Sequence, residues 1–173
     1  VSDWVTMHHD FQRSNASLTA IGDAQCLLTL NEAWEHPSLI GQYVGPIIYD
    51  DMLITTFRSS TGSEYKVQDL ITKADIYSFT YSDNVQGSPT VAYIDALAAP
   101  IMFVTTGADD DLIQAINLDD GSVVWTVTDA IATLDSDERC LYGNFIVLTV
   151  GTDQVLYFTT SYGKVIAVNA ATG

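Results

Sequence analysis

Basic residues are scarce. The 173-residue chain holds 6 Lys and Arg against 22 Asp and Glu, a formal net charge of -16 at pH 7. Nucleic-acid binders neutralise phosphates with Lys and Arg, so this balance excludes a nucleic-acid partner and argues against an anionic membrane surface. It favours solubility, a saline setting or a basic protein partner. Long apolar runs are also missing. No stretch reaches the ~18 residues of a membrane helix, so helical membrane insertion is not expected. The opening "VSDWVTMHHD" has neither the basic start nor the apolar centre of a signal peptide, and it does not begin with Met. A processed product that has already lost an export signal fits this start.

Cysteine is nearly absent. Cys26 and Cys140 are far apart, and neither belongs to a C-x-x-C motif. That spacing argues against a zinc or redox site. If the protein is exported, the pair can form one disulfide. Two buried thiols are the other reading. Catalytic signatures are missing as well: there is no Ser-His-Asp set, G-x-S-x-G, P-loop or dinucleotide fingerprint. His36 precedes Pro37, which puts it at a strand end. No segment holds a helical period over three turns, which leaves no backbone for an α-helical core.

Strand-like sequence fills the chain. Apolar residues make up 47% and charged residues 16%, a balance that folds. "PIIYDDMLITTF", "SPTVAYI", "PIMFVTTG", "NFIVLTV" and "QVLYFTTSYG" are rich in Val, Ile, Thr, Tyr and Phe, and each is bounded by Gly, Pro, Asp or Asn. An all-β fold follows.

The strands repeat. A shift of 52 residues lays Ala115, Asn117 and Gly121 on Ala167, Asn169 and Gly173. A shift of 48 the other way matches Val67, Asp69, Leu70 and Tyr77 to Ala115, Asn117, Leu118 and Trp125. Each copy has four strands. The first follows a Gly (Gly45, Gly87, Gly143), and the second carries Ile54–Thr56, Val104–Thr106 or Phe158–Thr160. The third alternates, and the fourth ends on an aromatic. Periods of ~40–50 residues with four strands per unit predict a β-propeller, since one sheet cannot cover both of its own faces. The expected layout is an N-terminal segment and outer strand (1–44), blades at 45–80 and 87–128, and an incomplete blade at 142–173. The turn Gly supplies positive φ, and the strand-four aromatic is a wedge between blades. Lys73 and Ala74 occupy the turn in the first copy, so its turn must differ.

"INLDDGSVVW" and "AVNAATG" resemble the repeat of the pyrroloquinoline-quinone (PQQ)-type β-propellers, a run such as A-L-D-A-x-T-G-x-x-x-W. "WVTMHHDFQRSNAS", with Trp4, resembles the opening of secreted members, and "LTLNEAWEH", with Trp34, the outer strand before the first full blade. The resemblance implies structural-repeat roles for Trp4, Trp34, Gly121, Trp125 and Gly173, and an extracytoplasmic location. The family holds quinone-dependent alcohol and sugar dehydrogenases that use calcium. It also holds quinone-free members, one of which is an assembly scaffold. The dehydrogenases carry a pair of adjacent cysteines over the quinone; this chain has none. No cofactor is therefore expected, with PQQ and calcium as the alternative.

Candidate sites are few. His8, His9 and Asp10 form one cluster with metal-like chemistry, but adjacent residues on a strand point to opposite faces. Structural hydrogen bonding by Asp10, Gln12 and Arg13 is the preferred reading. Asp109, Asp110 and Asp111 are acidic, as calcium likes, but their spacing matches no EF-hand loop; a solvated turn is preferred. Asp119 and Asp120, and Asp135, Asp137 and Glu138, read as turn residues. Asn15-Ala16-Ser17 fits the glycosylation triplet. The expected function is a non-catalytic propeller scaffold or interaction module, meeting proteins or other copies through open sheet edges. The alternatives are part of a PQQ-dependent dehydrogenase, or a carbohydrate-binding protein using Tyr43, Tyr81 and Tyr162.

Overall fold

In the computed structural model, residues 45–59, 62–81, 87–106, 111–128 and 145–173 are described. They form three antiparallel sheets with no helix among them. The first runs β1 (Ile47–Tyr49), β2 (Met52–Ser59), β3 (Gly62–Asp69) and β4 (Asp75–Tyr81). The second runs β5 (Thr90–Ile94), β6 (Ala99–Thr105), β7 (Asp111–Asn117) and β8 (Val123–Thr128). The third has β9 (Ile146–Val150), β10 (Asp153–Thr159) and β11 (Val165–Asn169). Every sheet is a meander in chain order. The fold is all-β, a partial β-propeller.

The faces explain the stacking. In the first sheet Ile54, Tyr65 and Val67 share one side and are fully buried against Val91, Met102, Val104 and Ile116 of the second. The opposite side of the second sheet sets Ile101, Phe103, Ile113 and Ala115 against Phe145, Val147, Leu156 and Phe158 of the third. Strand β6 is thus apolar on both sides and buried throughout. A strand covered on both faces loses the alternation of a half-exposed one.

Pairing corrects one expectation from the repeats. Ile54 faces Val67, Phe103 faces Ala115, and Tyr157 faces Ala167. The residue equivalent to Ile54 is therefore Phe103, not Val104. The Thr-Thr matches between the first two copies are one residue out of register. The third copy differs from the first in the same way, with Tyr157 rather than Phe158 equivalent to Ile54. The strand-four aromatic also stands third in its strand rather than at its end, Tyr77 in β4 and Trp125 in β8.

Trp4, His8, His9, Asp10, Asn15, Trp34, Asp109 and Asp110, both cysteines and Tyr43 lie outside the described residues, as do Asp135, Asp137 and Glu138.

Candidate functional face and the sheet-to-sheet locks

The turn that follows strand three is built alike three times. The N–H groups of Lys73, Gly121 and Gly173 donate to the carbonyls of Asp69, Asn117 and Asn169 at 2.9, 2.8 and 2.9 Å. Those three donors all have positive φ, 64°, 74° and 85°. The Asp or Asn side chain folds over the same turn. Asp69 Oδ1 accepts from Ile71 N (3.0 Å) and Thr72 N (2.6 Å); Asn117 Oδ1 accepts from Asp119 N; Asn169 Oδ1 accepts from Ala171 N. A short side-chain acceptor two residues upstream is what stabilises such a turn. Lys73 adopts the left-handed conformation that glycine fills in the other copies.

The second and third of these turns also receive the aromatic of the preceding sheet. Tyr77 lies over Gly121 and donates its hydroxyl to the Leu118 carbonyl at 2.7 Å. Trp125 lies over Gly173 and donates Nε1–H to the Ala170 carbonyl at 3.1 Å. The expected wedge is thus a lock, hydrophobic on the ring and polar at its tip. Two further contacts join neighbouring sheets. Gln154 accepts from Asp95 N (2.7 Å) and donates to the Tyr93 carbonyl (2.9 Å). Tyr81 donates to Gln114 Oε1 at 2.7 Å. Tyr162 is exposed.

The antiparallel order brings the starts of β3, β5, β7 and β11 to the end of the sheets opposite these hairpins. That end collects buried hydroxyl residues: Thr56, Ser63, Ser88, Thr90, Thr105, Thr106 and Thr160. Tyr65, not singled out from sequence, anchors it. Its hydroxyl donates to the Thr105 carbonyl at 3.0 Å, and Thr105 Oγ1 is 3.3 Å from the same oxygen. Burial pushes the phenol pKa far above its ordinary value. No signal in one sequence separates such a tyrosine from an ordinary core aromatic. Thr56 Oγ1 and Ser88 Oγ are buried and make no hydrogen bond among the described residues.

The hairpin end is acidic. Asp50, Asp51, Asp95, Asp119, Asp120 and Asp153 are exposed there, and Asp75 pairs with Lys66 at 2.8 Å. Among the described residues no three His, Cys, Asp or Glu side chains gather to hold a metal ion. Trp125, the one tryptophan among the described residues, has a face against Gly173 and its N–H on Ala170. Among the described residues no helix is long and apolar enough to cross a membrane.

The chain matches no protein-family profile and no curated protein. Among solved structures it is similar to one titled europium-containing methanol dehydrogenase, at 19% identity and a TM-score of 0.67. The likeness covers 99% of this chain and 31% of that one, so the chain spans about a third of that protein's length. At this identity the similarity is one of fold, the propeller of a dehydrogenase.

Proposed function

We propose that this chain is a non-catalytic segment of a quinoprotein-type propeller, serving outside the cytoplasm as a scaffold or protein-interaction module. One observation carries the reading. The polar tips that face the sheet junctions, Tyr65, Tyr77, Tyr81, Trp125 and Gln154, are all committed to holding one sheet to the next. Groups locked in this way rigidify a surface rather than turn over a substrate. The acidic hairpin end suits a basic partner.

A second reading has one observation behind it, the fold shared with a methanol dehydrogenase. A single titration separates the two. The chain is mixed with pyrroloquinoline quinone and either calcium or a lanthanide, and quinone absorbance and alcohol-dependent dye reduction are followed. The scaffold reading expects neither a bound-quinone spectrum nor turnover. Saturable quinone binding with dye reduction would replace it.

A further inference from the structure

We propose that the Asp120–Gly121 peptide is a site of spontaneous isoaspartate formation, gated by the turn it belongs to and by the Tyr77 ring that lies over it. This modification is independent of the scaffold reading. Of the 11 glycines, Gly121 alone follows an Asp or an Asn. With no side chain at Gly121, nothing crowds the peptide nitrogen, and the backbone can turn it onto the aspartate carboxyl carbon. Asp120 is exposed, so water, the one co-reactant, reaches it.

From the carboxylic acid form, Gly121 N bonds to Asp120 Cγ, and the amide proton leaves with the carboxyl hydroxyl as water. The product is a cyclic succinimide. Water then adds at the main-chain carbonyl carbon of Asp120 and breaks its bond to nitrogen. The mass returns to its starting value, and the main chain now runs through Asp120 Cβ and Cγ.

The folded turn holds both reacting groups elsewhere. Gly121 N–H donates to the Asn117 carbonyl at 2.8 Å. Asp120 Oδ1 accepts from Ser122 Oγ at 2.6 Å and from Ser122 N at 2.8 Å. Those bonds, the hydroxyl's first, hold the carboxyl below the usual aspartate value and so in the ionised form, the poorer electrophile. The neighbouring sheet clamps the same turn. A Cβ on Gly121 would stand 3.3 Å from the Tyr77 ring, and the Tyr77 hydroxyl donates to the Leu118 carbonyl at 2.7 Å. A near-attack arrangement is therefore reached only when the turn opens. The product adds a methylene to the main chain inside the loop that the Gly121–Asn117 bond closes, which loosens that bond and the seat of Tyr77.

The full chain is incubated at neutral pH, folded and in urea, and isoaspartate is located by peptide mapping with electron-based fragmentation. In urea it should gather at Asp120 ahead of every other aspartate. Folding should slow it there at least about tenfold, since the rate follows the open fraction of the turn. Tyr77→Phe keeps the ring and removes the bond to Leu118, and should speed the folded-state reaction about fivefold. The purified isoaspartyl form should exchange its Gly121 amide faster than the parent. No isoaspartate at Asp120 in urea, equal rates folded and unfolded, or a Tyr77→Phe rate equal to the parent's overturns the proposal. If Tyr77→Phe fails to fold, the comparison of folded and urea-unfolded parent still decides it.

Discussion

Trp125 rests on Gly173: a Cβ placed on that glycine would stand 3.2 Å from Trp125 Cδ2 and Cε3. The turn and the ring thus specify one another, and the indole N–H reaches the Ala170 carbonyl. Truncation at Trp125 removes both a large apolar contact and, among the described residues, the one side chain that donates to that carbonyl. Trp125→Ala should cost about 3–5 kcal/mol in urea unfolding. Trp125→Phe keeps most of the ring contact but strands the carbonyl, and should cost about 1–2 kcal/mol. Equal losses for the two variants would mean that the hydrogen bond carries the lock and the ring does not.

Substitutions at the turn should have opposite signs in neighbouring sheets. Gly121 has φ 74°, and an added Cβ would stand 3.3 Å from the Tyr77 ring. Gly121→Ala should destabilise by about 1–2 kcal/mol through left-handed strain and crowding. Lys73 already sits at φ 64° with its side chain attached. Lys73→Gly relieves that strain at the cost of a more flexible unfolded chain, and should stabilise by at most about 1 kcal/mol. Thermal unfolding of the two variants checks this, and a fall in Tm for both would refute it.

Alkali should find Tyr65 and Tyr77 late. Burial raises its pKa above the ordinary phenol value of 10.0, and burial followed by Asp119 and Asp120 raises that of Tyr77. In the unfolded chain both ionise near 10, so the unfolded state loses protons first as pH rises. Stability from this source is whole below pH ~10 and declines above it. Absorbance at the tyrosinate band should show at least two phenols that titrate only with unfolding, and Tyr65→Phe should remove one of them. That variant should also lose about 1 kcal/mol at neutral pH, from the bond to Thr105. A full set of phenols titrating together near pH 10 in the folded protein would contradict the burial.

The three repeats were legible because their landmarks have local causes. Gly121 and Gly173 mark turns, Asp69, Asn117 and Asn169 cap them, and Tyr77 and Trp125 follow at a fixed distance. Strand-two register was not legible, because Thr-Thr pairs are common in strands and sit in either register without breaking the pattern. Lys73 broke the glycine rule without breaking the turn, since Asp69 and the backbone bond hold it closed. Tyr65 was invisible for another reason. Its partners Gly87 and Thr105 lie 22 and 40 residues away, and only stacking of two sheets brings them to it.

The Asp69 cap predicts a specific acid response. Its carboxylate accepts from Ile71 N, Thr72 N and Thr72 Oγ1, and the bonds from Thr72 hold its pKa below the usual aspartate value. A depressed folded-state pKa means that the unfolded chain takes up the proton first as pH falls. The contribution is therefore whole above the unfolded pKa near 4 and is lost below it. Asp69→Asn would install the residue that the other two sheets already carry at this place. It keeps an acceptor for the turn and removes the titrating charge. Its Tm should match the parent near pH 7 and decline less steeply below pH ~4. Asp69→Ala, with no acceptor, should lower Tm at neutral pH as well. If Asp69→Asn follows the parent through the whole acid limb, the charge contributes nothing there, and the three turns are held by their backbone bonds alone.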